Sequence, residues 1–428
     1  MRVATALIVI CLVAVSPCLA QEAAETDVAA FQRLRAEGVA AAGADDLATA
    51  SARLAEADER IPNHPGLMLM RARVAAAAGQ SEAALEQVRR YADAGLDMNL
   101  AGDRALSTLA GQPGFDAVAA ALEANRAPVG ADRLESLAAI PGDGLVESVA
   151  RDGARGRWLV AMIRGRTIVA LDDAGTVTPW LESDPTIGGV LGLALDAPAG
   201  VLWAAASPLP PAMHGLSAEA PRPGPALLKI DLASGRVLAR FPAPADDQML
   251  GDVTLGPDGT VYVAGGDLFR LRPGGAALEV LSPAGPMRSP QGMAVTPDGA
   301  ALIVADYSSG LWRVDRATGA AARLEAPANA SLIGVDGLIT DGRFVYALQN
   351  GTAPQRVLRL TLDADWRRIE TVEVLAANLP QLDEPTTGLV HDGELVFVSR
   401  SQWSDFDGEG APRTPTPEPA LISRLRLD

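Results

Sequence analysis

The pattern of apolar and polar positions changes near residue 130. Residues 24–126 are rich in alanine and poor in glycine, and their apolar positions follow a helical pattern. From Arg133 onward, glycine, proline and aspartate separate short runs rich in valine, leucine and tyrosine. Such punctuation is typical of many short strands. The pattern therefore predicts a small all-α region followed by a larger, mainly β region.

The helical region contains an internal repeat. Ala50 and Ala84 are 34 residues apart and take the same place in the second helix of two successive helix pairs. Gly38, Ala57 and Pro62 fall where a tetratricopeptide repeat has small residues and a helix terminator. The small residues let helices approach closely, and the proline ends the second helix. These positions predict tetratricopeptide-like repeats.

The helical domain is predicted to extend over 24–126, with a capping segment at 114–126. Two repeats bury little apolar surface by themselves, so we expect this lobe to lean on the β region. Two roles follow from the sequence and both stay open. The lobe is either a groove that recruits a protein partner or a structural cap.

The β region repeats one unit, a strand, an Asp/Gly turn and a second strand, at intervals of about 40–60 residues. Most units are followed by a third strand. Six such units predict a six-bladed β-propeller over 133–428. The last unit ends at the C-terminus without a fourth strand, and residues 133–141 can supply it, which would close the ring and remove open sheet edges. The six units begin at Val146, Val190, Leu250, Pro290, Val335 and Thr386.

Six residues at the starts of the inner strands are predicted to ring one mouth of the central channel, because strands alternate direction in an antiparallel blade. Two carboxylates and an amide oxygen among them are hard ligands of the kind that Ca²⁺, Mg²⁺ or Mn²⁺ prefers. Alternatively, these polar residues are solvated and hold channel waters. The six are Glu147, Leu191, Gly251, Gln291, Asp336 and Thr387.

Over roughly 133–428 the chain resembles the family of senescence-marker-protein-30, gluconolactonase and luciferin-regenerating-enzyme-like propellers. That family holds a divalent metal with a Glu in the first blade, an Asn in an Asn-Gly and an Asp in an Asp-Gly. Glu147 in "LVESVARD" and Asp336 in "VDGL" match this pattern, and Gln291 in "PQGM" stands at the Asn position. A second family Asn is replaced by Gly251, while the following Asp252 is kept.

The resemblance implies a metal-dependent hydrolase of lactones or similar esters. Glu147, Gln291 and Asp336 would bind the cation, which we expect to be Ca²⁺, with Mg²⁺, Mn²⁺ or Zn²⁺ as alternatives. Asp252 or Asp336 would be the general base. A different class of function also stays open, a non-catalytic propeller that binds a small ligand or a protein through the helical lobe.

Two long loops, 207–225 and 401–419, are predicted to overhang the same mouth, because both connect the second and third strands of blades that flank the first blade. Long loops at a mouth often act as lids or selectivity elements. Trp403 and His214 are therefore candidate substrate contacts, together with Thr387 at the start of the last inner strand.

The N-terminal twenty residues combine Arg2, an apolar run and a small-residue end, which predicts a secretory signal cleaved near Ala20 and a secreted or periplasmic protein. Cys11 and Cys18, the two cysteines of the chain, lie within it.

The formal net charge of −17 disfavours nucleic acid as a partner. No later stretch approaches the length of a membrane span, and a small-molecule substrate fits better.

Overall fold

The computed structural model describes residues 25–427 except Ser183, Gly215, Ala218, Ala220, Pro221 and Asp247. The predicted signal peptide lies outside the described residues. The described chain is a mainly β, six-bladed propeller preceded by five α-helices, as the hydrophobic pattern predicts. No helix in this part of the chain is both long and apolar enough to cross a membrane.

The helical lobe begins with two pairs of helices, and the fifth helix follows after a longer connection. Side chains cap three of the helices: Thr26 accepts a hydrogen bond from the Ala29 amide, Asp46 from Thr49, and His64 from Leu67. The helices are α1 (Asp27–Gly43), α2 (Leu47–Arg60), α3 (Pro65–Ala77), α4 (Ser81–Asp93) and α5 (Phe115–Ala124).

The propeller consists of six four-stranded sheets in chain order. Blades one to five each use four consecutive strands from the inside outward. The strands of blades one to three are β2 (Val146–Asp152), β3 (Arg157–Met162), β4 (Thr167–Asp172), β5 (Val177–Leu181), β6 (Gly189–Asp196), β7 (Val201–Ser207), β8 (Ala226–Asp231), β9 (Val237–Pro242), β10 (Leu250–Leu255), β11 (Val261–Gly265), β12 (Leu268–Leu271) and β13 (Glu279–Ser282).

Blades four and five follow the same order, and blade six closes the ring. In its sheet the first strand after the helical lobe (Leu134–Ile140) pairs with the last strand of the chain (Ala420–Arg426), which in turn pairs with the strand before it. The predicted closure is confirmed. The strands are β14 (Pro290–Val295), β15 (Ala301–Asp306), β16 (Gly310–Asp315), β17 (Ala321–Arg323), β18 (Val335–Thr340), β19 (Val345–Gln349), β20 (Arg356–Leu362), β21 (Ile369–Ala377), β22 (Gly388–His391), β23 (Glu394–Arg400), β24 (Ala420–Arg426) and β1 (Leu134–Ile140).

The inner strands of blades one to five share a β-bulge next to the channel mouth. In each strand two successive residues near its start face a single residue of the neighbouring strand. Such a bulge bends the strand and changes where its side chains point. The five bulged pairs are Glu147–Ser148, Leu191–Gly192, Gly251–Asp252, Gln291–Gly292 and Asp336–Gly337.

Glycine as the second residue of a bulged pair allows close contact between successive inner strands. A β-carbon on Gly292 would overlap the backbone of Asp336 and Leu338 in the next blade. Blades one and three carry polar residues at this position instead. Ser148 is buried, and its hydroxyl accepts a hydrogen bond from the Leu193 amide of blade two, whereas Asp252 is ionisable and belongs to the site described below.

The helical lobe packs on the outside of the propeller, as its small size led us to expect. One apolar cluster runs without interruption from α1–α3 into blades three and four. It includes Phe31, Leu54 and Leu67 from the lobe and Tyr262, Met293 and Trp312 from the blades. The face of the lobe that these residues form is therefore covered by the propeller.

Hydrogen bonds fix the lobe at further points on blades four and five. Arg323 donates to the Arg60 carbonyl at the end of α2 (2.9 Å), and Asn378 donates to the Asn125 carbonyl after α5 (2.9 Å). The Asp97 amide donates to the carbonyl of Ala353 in the loop between β19 and β20 (2.7 Å). The lobe thus spans three blades.

The stability of the lobe is expected to fall as the pH drops from about 6.5 to 4. Burial, together with the charge of Arg35, lowers the pKa of His64 to about 4, while its Nδ1 caps α3 and its ring stacks on Phe31. As the pH falls, His64 takes up a proton in the unfolded state before it does so in the folded state. The free energy of unfolding therefore falls by about 2–3 kcal/mol between pH 6.5 and pH 4.

Urea unfolding of the wild type and of His64→Asn between pH 7.5 and 4 checks this expectation. Asparagine keeps a capping oxygen but does not titrate. The wild type should lose more stability than the variant over this range. An identical pH dependence in both proteins would contradict the role of His64.

Candidate metal centre

A cavity of about 600 Å³ opens at the mouth of the channel where the inner strands begin. Its size suits a small organic molecule. Five of the six predicted mouth residues line it together: Glu147, Leu191, Gly251, Gln291 and Asp336. The repeat of the blades and the shared bulges bring these residues, which are far apart in sequence, to one place.

Glu147 is the acidic residue that blade one contributes. Its Oε2 accepts a hydrogen bond from Nε1 of Trp403 (2.6 Å), which lies in the predicted overhanging loop of blade six and also lines the cavity. Burial raises the pKa of Glu147 well above its usual range, and the charge of Asp336 adds to this rise, whereas the bond from Trp403 opposes it. The negative charge of an ionised Glu147 is therefore not balanced by a neighbouring positive side chain among the described residues.

Asp336 is the acidic residue of blade five. Burial, followed by the charge of Asp252, raises the pKa of Asp336 to about 8. Its Oδ2 accepts a hydrogen bond from Nδ2 of Asn350 (2.6 Å). At neutral pH this carboxyl holds its proton unless a cation replaces it.

Asn350 is a site residue that the sequence analysis missed. Its Nδ2 also donates to the Pro385 carbonyl (3.1 Å), while its Oδ1 is buried and has no hydrogen-bond partner among the described residues. A buried amide oxygen without a partner calls for a ligand or water. The available signal was its position: Asn350 follows the second strand of blade five, and that strand ends at the same mouth where Asp336 begins the first.

Gln291 is the amide residue that blade four contributes to the mouth cavity. Its Nε2 donates to Oγ of Ser289 (3.2 Å), which leaves Oε1 for another partner. A β-carbon on Gly251 would lie 4.0 Å from this Oε1. The side chain of Gln291 therefore extends toward space that the missing side chain at Gly251 leaves open.

Asp252 lies farther along the channel than the other acidic groups. It lines a second chamber of about 460 Å³ rather than the mouth cavity. Burial raises the pKa of Asp252 to about 7. Its charge also raises the pKa of both Glu147 and Asp336, so the three carboxyl groups interact through the channel.

Two predicted substrate contacts lie elsewhere than expected. Thr387 lines the second chamber with Asp252 and not the mouth cavity. The Thr386 amide donates to the Val398 carbonyl and the Val398 amide donates to the Thr387 carbonyl, so both threonines face Val398 and Thr387 corresponds to Asp252, the second residue of its bulged pair. His214 is half-buried beside blade one, with Nδ1 3.0 Å from the Ile163 carbonyl oxygen, and it does not line the mouth cavity either. From blade six, Trp403 and Glu384 line that cavity instead.

The donor set at the mouth suits a hard divalent cation. Glu147 and Asp336 supply carboxylate oxygens, and Gln291 and Asn350 supply amide oxygens. Oxygen donors of this kind favour Ca²⁺ or Mg²⁺ over Zn²⁺, which prefers nitrogen and sulfur. Among the described residues, no three or more His, Cys, Asp or Glu side chains cluster at metal-binding distance, so the amide oxygens are needed to complete the set.

No family model matches the sequence, and no curated protein matches it either. The structure is similar to a gluconolactonase from Xanthomonas campestris, with 16% identity over 69% of this chain and 91% of that chain and a TM-score of 0.45. It is also similar to a calcium-binding protein, regucalcin, from Agrobacterium tumefaciens, with 17% identity, coverage of 68% and 95%, and a TM-score of 0.45.

A luciferin-regenerating enzyme is similar to the same extent, with 13% identity, coverage of 70% of this chain and 95% of that chain, and a TM-score of 0.46. The six blades themselves are established by the six sheets of this chain. This protein is thus a six-bladed β-propeller whose structural neighbours include gluconolactonase, regucalcin and luciferin-regenerating enzyme structures.

Proposed function

We propose that this protein is a metal-dependent hydrolase of lactones or related esters. Glu147, Asp336 and Gln291 would hold a divalent cation, Ca²⁺ in the first place, with Oδ1 of Asn350 as a further donor. The observation that carries the proposal is the pair of half-buried carboxyls, Glu147 and Asp336, with raised pKa values, beside an amide oxygen without a partner among the described residues. A cation bound between these groups would stabilise both carboxylates and would also give the amide oxygen a partner.

A bound cation would polarise the ester carbonyl and make a water molecule more acidic. We assign the role of general base to Asp252, because it directly follows Gly251 of the mouth cavity and interacts through the channel with both acidic donors, and because its pKa of about 7 suits proton exchange at neutral pH. Asp336, the other predicted base, belongs to the donor set. The water oxygen would bond to the acyl carbon while the Asp252 carboxylate accepts a proton from this water. The acyl–oxygen bond of the lactone would then break, and the leaving alkoxide would take the proton from Asp252, which yields a hydroxy acid.

The mouth of the cavity would confine the substrate. The indole of Trp403 is held by its hydrogen bond to Glu147 and forms part of the cavity wall, so it would exclude water from one side of the reacting ester.

We also propose that the protein is exported, on the basis of its N-terminal apolar segment. A protein partner for the tetratricopeptide-like lobe stays a prediction, and the apolar face that packs on blades three and four is not open to one.

Calorimetric titration of Ca²⁺, Mg²⁺, Mn²⁺ and Zn²⁺ into the metal-stripped protein tests the binding, and a pH-stat assay on a panel of lactones and esters tests the reaction. Asp252→Asn should keep cation binding but lower the hydrolysis rate by a factor of about 10²–10⁴. The absence of any cation binding to the wild type would refute the proposal. Full activity of Asp252→Asn would refute the assignment of the base.

A further inference from the structure

Blade four presents two polar side chains to the mouth cavity that have no partner among the described residues. Arg288 comes shortly before β14, Tyr307 follows β15, and both line the cavity. Among the described residues, the Arg288 guanidinium makes no side-chain hydrogen bond or ion pair, and the Tyr307 hydroxyl makes no hydrogen bond. A guanidinium and a phenol that line one cavity provide several hydrogen-bond donors, which suits an anionic acceptor.

The backbone beneath these two side chains is held by one buried carboxylate. Asp306 is fully buried; its Oδ1 accepts hydrogen bonds from the amides of Arg288 (3.1 Å) and Ser289 (2.5 Å), and its Oδ2 accepts from the Ser308 hydroxyl (2.9 Å). The Tyr307 amide donates to the Ser289 carbonyl (3.0 Å), so the two loops are joined directly. Preorganised loops reduce the entropic cost of binding a ligand.

Arg288 is the one basic side chain among the described residues that line the mouth cavity. The other ionisable side chains that line it, apart from Tyr307, are acidic: Glu147, Asp336 and Glu384. Glu147 and Asp336 are already bonded to Trp403 and Asn350, and Arg288 pairs with none of the three. Burial and the charges of Asp336 and Glu384 raise the pKa of Tyr307 to about 12, so the phenol keeps its proton and remains a donor.

We infer that Arg288 and Tyr307 form a subsite for an anionic oxyacid group of the substrate, a carboxylate or a phosphate. This inference rests on the proposed function and narrows it: the preferred substrates are lactones or esters that carry a second, anionic group. In a ring of six blades, blade four lies opposite blade one, so the anionic group would be bound across the cavity from Glu147 and Trp403.

The test compares matched non-hydrolysable ligands by calorimetry: sorbitol, gluconate and sorbitol phosphate, with and without saturating Ca²⁺. The wild type should bind an anionic ligand at least roughly tenfold more tightly than sorbitol. Arg288→Gln and Tyr307→Phe should each reduce this preference, and the double variant should abolish it, while sorbitol affinity stays the same. The gluconate and phosphate arms distinguish the two kinds of anion.

Arg272→Gln is the matched control, since Arg272 is exposed on the outer part of blade three and does not line the cavity. It removes the same charge and should keep the anion preference. Equal affinity of the wild type for all three ligands, or an undiminished preference in the double variant, would overturn the subsite. A wild type that prefers anions but hydrolyses no ester would refute the proposed function while leaving the subsite supported.

Discussion

Replacing both Glu147 with Gln and Asp336 with Asn is expected to reduce the affinity for Ca²⁺ by at least ~100-fold. The double substitution removes both carboxylates of the donor set and leaves only amide oxygens, which attract a dication far less. Calorimetry on metal-stripped proteins measures the change. Glu82→Gln combined with Asp392→Asn is a matched control, because it makes the same chemical changes at exposed positions outside the cavity.

The same double variant should be more stable than the wild type when no metal is present, by about 1–4 kcal/mol at pH 7. Burial raises the pKa of Asp336 from 3.8 to about 8, so the folded state holds a proton that the unfolded state has released. The stability of the metal-free wild type therefore falls as the pH rises from about 4 to 8, and this component should be missing in the variant.

The Ca²⁺ affinity and the metal-free stability of the double variant together distinguish a binding site from a structural site. Loss of Ca²⁺ affinity together with a gain in metal-free stability identifies carboxylates that are retained for binding. A double variant that binds Ca²⁺ as the wild type does would refute the proposed donor set. A loss of metal-free stability would show that the two acids stabilise the channel themselves.

Arg356→Gln is expected to destabilise the protein by about 2–4 kcal/mol. Arg356 is 3% exposed, and it joins the helical lobe to blade five. Its Nη1 donates to the Ala94 (2.8 Å) and Gly95 (3.3 Å) carbonyls just after α4, and its Nε and Nη2 donate to Oε1 of Gln349 (2.9 and 2.6 Å). Removal of the guanidinium leaves these buried acceptors without partners.

Urea unfolding followed by circular dichroism measures this loss, and Arg323→Gln is the matched control. Arg323 also donates to a carbonyl at the end of a lobe helix, that of Arg60, but it does so with one hydrogen bond, so its loss should cost only about 1 kcal/mol. An equal loss in both variants would contradict the special role of Arg356. Burial lowers the pKa of Arg356 to about 10, so it stays charged at neutral pH.

The loop that precedes Arg356 connects the lobe to the mouth cavity. Oε1 of Gln355 accepts a hydrogen bond from the Glu384 amide (2.6 Å), and Asn350 at the other end of the loop binds Asp336. Hydrogen exchange at the Glu384 amide should therefore become faster in Arg356→Gln but not in Arg323→Gln, because blade four carries Arg323 on its outermost strand.

The number of blades, the strand that closes the ring and the meeting of Glu147, Gln291 and Asp336 were all predictable from the sequence. The reason is the regular unit of the propeller: each unit places its inner-strand start at the same mouth, so position within the unit predicts position in space. Thr387 was misplaced because the predicted register of blade six was shifted by one residue: Thr386 and Thr387 both face Val398, so Thr386, and not Thr387, takes the position of Glu147 and Asp336.

The sequence by itself determined the fold and the acidic character of the channel, since strand patterning and local turns repeat in every blade. The tertiary structure decided what surrounds those residues. Asn350, Arg288 and Tyr307 lie at strand ends and in loops, where no periodicity links them to the acids, and the covering of the lobe by blades three and four depends on packing between distant segments. Burial, which shifts the pKa values of the carboxyl groups, arises only when the blades assemble around the channel.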